Sequence, residues 1–166
     1  MIPRDPMTTP ATALRNPGVH FPPPLVYVTG FLIGWLIDRR WPAPLSQLSG
    51  ETRDVIALLC LALWLALMSG AFIVFTRAHT SIIPNRPASA IVRSGPYRFT
   101  RNPMYVSLAA LYAGLALLYD SWWPLLFLIP VLLVIRYAVI AREEKYLTGA
   151  FPVEYSAYCS HVRRWL

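Results

Sequence analysis

The feature that most constrains this chain is an uninterrupted apolar run, VIALLCLALWLALMSGAFIVF, from Val55 to Phe75. A membrane-spanning helix needs about 20 consecutive, mostly apolar residues, and this run reaches that length without a charged side chain. A helix of a soluble bundle would carry a polar stripe along one face, and the run has almost none. It therefore predicts a helix that lies in a lipid bilayer.

Three further apolar runs extend this pattern. The first, PPPLVYVTGFLIGWLI, ends at Asp38, and its prolines suit the first turn of a helix. The other two extend from Pro103 to Tyr119 and from Ser121 to Ala141, and the residues YDSWWP between them leave room only for a tight turn. Trp122 and Trp123 at this turn suit the membrane–water interface. We therefore predict an all-α, polytopic membrane protein with about four transmembrane helices and a C-terminal helical hairpin.

The composition agrees with a membrane protein. Hydrophobic residues make up 56% of the 166 residues and charged residues only 14%, with a mean hydropathy of +0.46, whereas soluble domains carry about 25% charged residues. The net charge of +7 could indicate nucleic-acid binding, but the arginines cluster between apolar runs, as membrane topology requires. Cys60 and Cys159 fit neither a metal site nor a disulfide framework. We expect no nucleic-acid partner and no metal.

The chain length suits one domain. Residues 1–22, rich in Pro and Thr, predict a flexible N-terminal leader rather than a signal peptide, because the first apolar run starts late and no small-residue cleavage site follows it. Residues 23–166 form the predicted membrane domain. Its segments between the apolar runs carry an uneven charge: with four spans, one side holds only Arg39, Arg40 and Arg53, and most other basic residues lie opposite. The positive-inside rule then predicts cytoplasmic termini in a bacterial-type inner membrane.

The polar stretch SGPYRFTRNPMY, from Ser94 to Tyr105, interrupts the apolar pattern. We name its first part, Ser94–Asn102, the arginine loop. Gly95 permits a positive φ or a close approach of the backbone, and two prolines stiffen the stretch. Arg98 and Arg101 can bind a carboxylate or a phosphate through bidentate hydrogen bonds. The stretch therefore has the side chains of a binding site rather than those of a spacer.

A second charged cluster, REEKYLTGAFPVEYSAY from Arg142 to Tyr158, directly follows the fourth run. Because the hairpin places the start of the third run and the end of the fourth on one side, we expect this cluster to lie beside the arginine loop. Glu143 and Glu144 oppose the helix dipole unless the helix continues or a cation binds there. Acidic, basic, aromatic and amide groups at one membrane surface suit a zwitterionic, partly aromatic ligand.

Helical spacing predicts that Arg136 lies on the same face as these acids. That face comprises Arg136, Ile140, Glu143, Glu144 and Leu147. An ionisable side chain at this depth usually faces the interior of a helix bundle, but a long arginine side chain can also extend to the membrane interface. The sequence leaves both interpretations open.

The two polar motifs together resemble the isoprenylcysteine carboxyl methyltransferase and phospholipid methyltransferase superfamily. These integral membrane enzymes use S-adenosylmethionine. The resemblance rests on SGPYRFTRNPMY, the apolar hairpin and REEKYL…F…EYSAYCSHVRRW, and covers about residues 77–166, the predicted catalytic half. The family typically has Arg-His-Pro where this chain has Arg101-Asn102-Pro103, and often Phe-Gly where it has Phe151-Pro152. Asn102 keeps a hydrogen-bonding side chain but lacks a titratable imidazole.

The resemblance implies a methyl-donor site between the two motifs, with a cytoplasmic cofactor-binding tail. Its predicted donor-binding residues are Gly95, Tyr97, Arg101, Asn102, Pro103, Tyr105, Glu143 and Glu144. An arginine suits the carboxylate of the donor, and carboxylates and aromatic rings suit its ammonium and sulfonium groups. The chain has no GxGxxG motif, so a Rossmann-type site is not expected.

The predicted reaction is methyl transfer to a lipid or lipophilic small molecule. Carboxylate O-methylation is slightly favoured, because a carboxylate acceptor needs no general base. Arg136 and His79 are the candidate catalytic residues, and a solvated or capping role is the alternative for His79. Two other functions remain open: a membrane reductase related to sterol reductases that uses NADPH, and a non-catalytic scaffold or sensor. The sequence predicts neither the acceptor nor the oligomeric state.

Overall fold

The structure, a computed structural model, describes residues 17–19, 21–78 and 91–166. Within these ranges it contains helices and loops and no strand, which confirms the all-α prediction. The α-helices are α1 (Pro23–Arg40), α2 (Gly50–Arg77), α3 (Pro103–Tyr119), α4 (Trp122–Val134), α5 (Ala141–Ala150) and α6 (Pro152–His161). A 3-10 turn, Gly95–Arg98, precedes α3, and a π-helical segment, Ile135–Ile140, joins α4 to α5.

Two helices of the described chain are long and apolar enough to cross a membrane. They are α2, with 28 residues, and the continuous helix Trp122–Ala150, with 29 residues. Helix α3 is a shorter apolar helix. The prediction of about four spans is thus supported for these two helices, and it stays a prediction for α1 and α3.

The ends of the helices follow from local sequence. Helix α1 begins with Pro23 in its first turn, where the missing N–H would have no intrahelical partner. Ser121 caps α4, since its hydroxyl accepts a hydrogen bond from the Trp123 backbone N–H at 3.2 Å. Helix α3 ends at Tyr119, and the next residue, Asp120, has a left-handed backbone with φ 62°. This residue makes the tight turn predicted between the third and fourth apolar runs.

Helices α1 and α4 approach each other closely at Gly30 and Gly34. A Cβ at Gly34 would lie 2.7 Å from Pro124 Cα, and a Cβ at Gly30 would overlap Val131 Cγ2. The two glycines form a small-xxx-small pair, which permits this close helix contact. Helix α2 packs mainly on α3, so each long helix has one principal neighbour.

The main core cluster lies directly below the polar motifs. Its buried members are Val19, Tyr27, Tyr105, Tyr112, Val131, Ile135, Val139 and Ile140. Val19, from the segment predicted as a leader, is 1% exposed. The Tyr27 hydroxyl donates a hydrogen bond to the Tyr105 carbonyl at 2.9 Å. The core thereby fixes the first turn of α3 against α1.

The opposite end of the helices is closed by polar contacts around the α3–α4 turn. Arg53 Nη1 lies 2.7 Å from Asp120 Oδ2, and the Leu45 backbone N–H donates to Asp120 Oδ1 at 3.1 Å. The Ser121 hydroxyl donates to Asp38 Oδ1 at 2.6 Å. These bonds connect α1, α2 and the loop between them to the turn.

Candidate functional site

The hairpin brings the two polar motifs together. The Tyr105 hydroxyl, in the first turn of α3, donates a hydrogen bond to Glu143 Oε1, in α5, at 2.7 Å. Tyr105 is buried and Glu143 is partly buried. Arg101 of the arginine loop also lies 3.4 Å from Glu144, which confirms the predicted proximity of the arginine loop and the charged cluster after the fourth run.

The arginine loop lies against the C-terminal half of α2 because two glycines permit it. Gly95 has φ 59°, and a Cβ there would lie 2.7 Å from Val74 Cγ2. A Cβ at Gly70 would lie 2.8 Å from Pro96 Cγ. Gly95 therefore meets two requirements that other residues satisfy poorly: a left-handed backbone and space for a neighbouring side chain.

Tyr97 and Tyr158 connect the arginine loop to α6. The buried ring of Tyr97 lies 5.5 Å from the ring of Phe75, and its carbonyl accepts a hydrogen bond from the Tyr158 hydroxyl at 2.7 Å. Burial, together with the neighbouring Tyr158 and Glu143, raises the pKa of Tyr97. Burial also raises the pKa of Tyr158 to about 12. Both phenols are therefore neutral near neutral pH.

Arg101 lies at the centre of the site. Its Nη1 is 3.4 Å from Glu144 Oε1 and donates to Cys159 Sγ at 2.6 Å. Its backbone N–H donates to the Arg163 carbonyl at 2.9 Å. Among the described residues, the buried Arg101 Nε has no hydrogen-bond partner. Arg101 therefore has a donor available for a bound anion.

Asn102 holds the C-terminal tail, which we define as Val162–Leu166. Its side-chain Nδ2 donates to the Arg164 carbonyl at 2.9 Å, and the Thr100 hydroxyl donates to the same oxygen at 3.2 Å. Asn102 makes no side-chain cap to α3, which begins at Pro103 in the next position. The predicted donor-binding residues Asn102 and Pro103 thus set the geometry of the loop and of the tail.

The two neighbouring acids have different partners. Glu144 accepts hydrogen bonds from Arg164 Nε at 2.9 Å and Nη2 at 2.7 Å, in a bidentate pair. In the described part of the chain, Glu143 has one hydrogen-bond partner, the neutral Tyr105 hydroxyl. Glu144 is therefore compensated by arginines, whereas Glu143 has no cationic partner among residues 17–19, 21–78 and 91–166.

Of the two interpretations of Arg136, its exposure fits the one in which the side chain extends away from the interior of the bundle. Arg136 lies in the π-helical segment and is exposed, with its guanidinium carbon 5.3 Å from the Tyr137 ring. A π-helix closes its hydrogen bonds one residue later than an α-helix, which shifts the register between Arg136 and Glu143. The catalytic role of Arg136 stays a prediction, and His79 lies outside the described residues.

Arg164 and Cys159 are the contacts that the sequence analysis did not assign to the site. Arg164 belongs to the VRRW end of the second motif. In the sequence it counts only as one of the basic residues on the predicted cytoplasmic side. The signal for its pairing with Glu144 is the presence of an arginine and two adjacent acids in one motif, since such groups can form an ion pair. Cys159 carries no spacing signal of its own.

These features define a helical, membrane-associated protein with paired charges at one end of apolar helices. The family model for phospholipid methyltransferases matches residues 52–154, which is more than half of the chain. The chain therefore belongs to the phospholipid methyltransferase family, within the group that also contains the isoprenylcysteine methyltransferases. The match begins before residue 77, where the predicted resemblance starts, and ends before residues 155–166. No curated protein and no solved structure matches the chain.

Proposed function

We propose that the protein transfers a methyl group from S-adenosylmethionine to a lipid or lipophilic small molecule. The reaction would occur at the cytoplasmic face of a bacterial-type inner membrane, with both termini in the cytoplasm. The observation that carries this proposal is the presence of two neighbouring contacts at one end of apolar helices: Tyr105 with Glu143 and Arg101 with Glu144. Membership of a methyltransferase family supports methyl transfer as the chemistry of this site.

The residues of the site fit the groups of the methyl donor. The buried, unpartnered Nε of Arg101 suits the donor carboxylate, which arginine binds through charge-assisted hydrogen bonds. Glu143, which has no cationic partner among the described residues, suits a positive group. The rings of Tyr97 and Tyr105 can add cation–π attraction, and Gly95 allows the backbone to approach closely. When bound, S-adenosylmethionine would supply a methyl group already activated by its positive sulfur.

The chain would contribute mainly positioning and exclusion of water. The core below the site is apolar, and α2 and the helix Trp122–Ala150 are long enough to cross a bilayer. A carboxylate acceptor would need no general base, whereas a protonated amine headgroup would first have to lose a proton. We keep His79 and Arg136 as the proposed catalytic residues for such a step.

A groove between α1 and α4 supports a lipophilic acceptor. It has a volume of about 420 Å³ and is lined by apolar side chains, with Thr29 as its hydroxyl-bearing member. Val131 belongs both to the groove wall and to the core cluster that contains Tyr105. A hydrocarbon chain in this groove would therefore lie beside the core that carries the donor site.

Ligand-dependent thermal unfolding of the purified protein in detergent tests the donor. We expect S-adenosylmethionine and S-adenosylhomocysteine to raise the melting temperature, because a ligand at about 100 times its Kd stabilises the folded state by about 2.7 kcal/mol. Adenosine and methionine together serve as the control. Stabilisation by NADPH instead would favour a reductase, and no stabilisation of folded protein by any of these ligands would favour a scaffold or sensor.

The acceptor is tested by methyl transfer from radiolabelled donor to fractionated membrane lipids. Label that is released by mild base indicates a methyl ester, and stable label indicates an N-methyl or S-methyl product. Label in lipid fractions supports the proposed acceptor class, whereas label only in water-soluble molecules contradicts it.

A further inference from the structure

We propose that Glu144 and Arg164 are positioning residues that hold the C-terminal tail over the donor site, and that Glu143 alone supplies the carboxylate for the positive charge of the donor. The part that concerns the donor rests on the function proposed above. The part that concerns the tail rests on contacts within the chain.

Glu144 is already occupied by cations. Both of its oxygens accept hydrogen bonds from Arg164, at 2.9 Å and 2.7 Å, and Arg101 Nη1 lies 3.4 Å from the first of them. The Glu144 side chain is 17% exposed and the Arg164 side chain 37%, so solvent screens the pair from the arginine side. A third cation at this carboxylate would have to displace an arginine from a bidentate pair.

Glu143 presents the opposite situation. Its Oε1 accepts a hydrogen bond from the Tyr105 hydroxyl at 2.7 Å, and this neutral partner orients the carboxylate without compensating its charge. A carboxylate in a partly buried position favours a cationic partner. Of the two neighbouring acids, Glu143 is therefore the one with charge left for an ammonium or sulfonium group.

The Glu144–Arg164 pair fixes a tail that contacts the arginine loop at several points. The Arg163 carbonyl accepts from the Arg101 backbone N–H at 2.9 Å, and the Arg164 carbonyl accepts from both Thr100 and Asn102. Trp165 packs against the core cluster. A loss of the ion pair would therefore free the tail and remove a restraint on Arg101.

The family match ends at residue 154, so the whole tail lies beyond it. The match includes Arg101, Glu143 and Glu144 but not Arg164. Glu144 therefore pairs with a residue that lies outside the match.

Carboxypeptidase digestion of the ligand-free protein in detergent tests the positioning role. We compare the rates at which Leu166 and Trp165 are released from wild type, Glu144→Gln, Arg164→Gln and Glu143→Gln. Since proteolysis follows the population of the open form, we expect about tenfold faster release from the first two variants, from the loss of a charge-assisted pair. Release from Glu143→Gln should stay within about twofold of wild type, because the hydrogen-bond partner of Glu143 is Tyr105 rather than a residue of the tail.

Arg164→Gln changes no helical residue, so it tests the tail even if Glu144→Gln fails to fold. Arg164→Lys keeps the charge but not the bidentate geometry, and we expect an intermediate release rate. Equal release rates in wild type and Arg164→Gln would overturn the positioning role.

Calorimetric titration with S-adenosylhomocysteine tests the division between the acids. We expect Arg164→Gln to weaken binding and Glu144→Gln to weaken it at least as much, because Glu144 also pairs with Arg101. The double variant should be no weaker than Glu144→Gln, since the Glu144–Arg164 contact is already lost in that single variant. Glu143→Gln should weaken binding without faster tail release, and its effect should add to that of Arg164→Gln. Weaker binding in Glu144→Gln with a protected tail would overturn the assignment, since Glu144 would then contact the ligand directly.

If wild type binds no donor or product, the proposed function fails, and the digestion still decides the role of the pair.

Discussion

Tyr105 and Glu143 are separated by 38 positions in the sequence, and the Tyr105 hydroxyl donates a hydrogen bond to Glu143 Oε1 at 2.7 Å. The bond joins the first turn of α3 to α5, at the two ends of the helical hairpin. The Tyr105 carbonyl is held in turn by the Tyr27 hydroxyl of α1. Tyr105 of α3 is therefore bonded to α1 through its carbonyl and to α5 through its hydroxyl, and its partner in α5 is the acid that we propose for donor binding.

The first prediction concerns Tyr105→Phe. This change removes the hydroxyl and leaves a partly buried carboxylate without its hydrogen-bond partner, which costs about 1–3 kcal/mol. We expect the free energy of unfolding in detergent to fall by about that amount and binding of S-adenosylhomocysteine to weaken. Tyr137→Phe, at an exposed tyrosine on the continuous helix that carries Glu143, is the matched control. Equal stability of the two variants would contradict a role of the bond in folding.

A second prediction concerns Gly95→Ala. The change introduces a Cβ 2.7 Å from Val74 Cγ2 at a residue with φ 59°. A left-handed backbone costs a non-glycine residue about 1 kcal/mol, and the contact requires Val74 or the loop to move. We expect a lower melting temperature and weaker donor binding, since the loop also carries Arg101.

Gly149→Ala is the control for that experiment. Gly149 lies in α5, and a Cβ there would meet nothing within 4 Å. Alanine favours a helix interior by about 1 kcal/mol over glycine, so the melting temperature should rise or stay unchanged. A fall of similar size in both variants would show that Gly95 has no special requirement.

Much of the fold could be predicted from the sequence, because the lengths and spacing of the hydrophobic runs determine the helices and the hairpin. The run Val55–Phe75 and the short turn before Trp122 predict long helices and a hairpin, and the hairpin brings Tyr105 to Glu143. Periodicity failed where the backbone departs from an α-helix. The π-helical segment Ile135–Ile140 turns Arg136 outward, and no residue pattern in the apolar sequence marks such a segment.

The hydrogen-bond partners of individual polar side chains could not be predicted from the sequence, for a different reason. Glu143 and Glu144 are adjacent and chemically identical, and only the three-dimensional structure assigns Tyr105 to one and Arg164 to the other. Asn102 was likewise predicted to bind the donor, and its amide donates to the tail. Such pairing depends on side-chain direction and on the path of the tail, which residue types do not specify.

A third prediction concerns pH and Asp120. The hydrogen bond from Arg53, followed by the one from the Leu45 N–H, holds the pKa of Asp120 below its usual value. A carboxyl group whose pKa is lower in the folded state stabilises the fold above its unfolded pKa, and loses this contribution as the pH falls through the folded pKa. We therefore expect wild type to unfold at a higher temperature than Asp120→Asn above about pH 5, and the difference to shrink below about pH 4.

Asparagine tolerates the left-handed backbone of Asp120, so the substitution tests the charge rather than the turn. Asp54→Asn is the control, because Asp54 lies 3.6 Å from the same arginine and is more exposed. A difference between wild type and Asp120→Asn that does not change with pH would contradict a role of the ionised carboxylate.

A fourth prediction concerns orientation. We expect a cysteine at position 98, introduced as Arg98→Cys in a protein without Cys60 and Cys159, to react with a membrane-impermeant maleimide only after the cells are opened. Arg98 is exposed in the 3-10 turn, so access depends on the side of the membrane. Arg40→Cys, at the exposed end of α1, is the control and should react in intact cells. The reverse pattern would overturn cytoplasmic termini.

The last prediction concerns Asn102, where the resembled superfamily typically has histidine. Because Asn102 Nδ2 donates to the Arg164 carbonyl at 2.9 Å, an imidazole N–H can replace it, whereas an apolar side chain of similar size cannot. We expect Asn102→His to keep carboxypeptidase release of the tail within about twofold of wild type. Asn102→Leu should increase it about fivefold, from the loss of one hydrogen bond of about 1 kcal/mol. Equal release from both variants would mean that the amide does not hold the tail, and donor affinity measured on the same proteins would then show whether position 102 acts on the ligand instead.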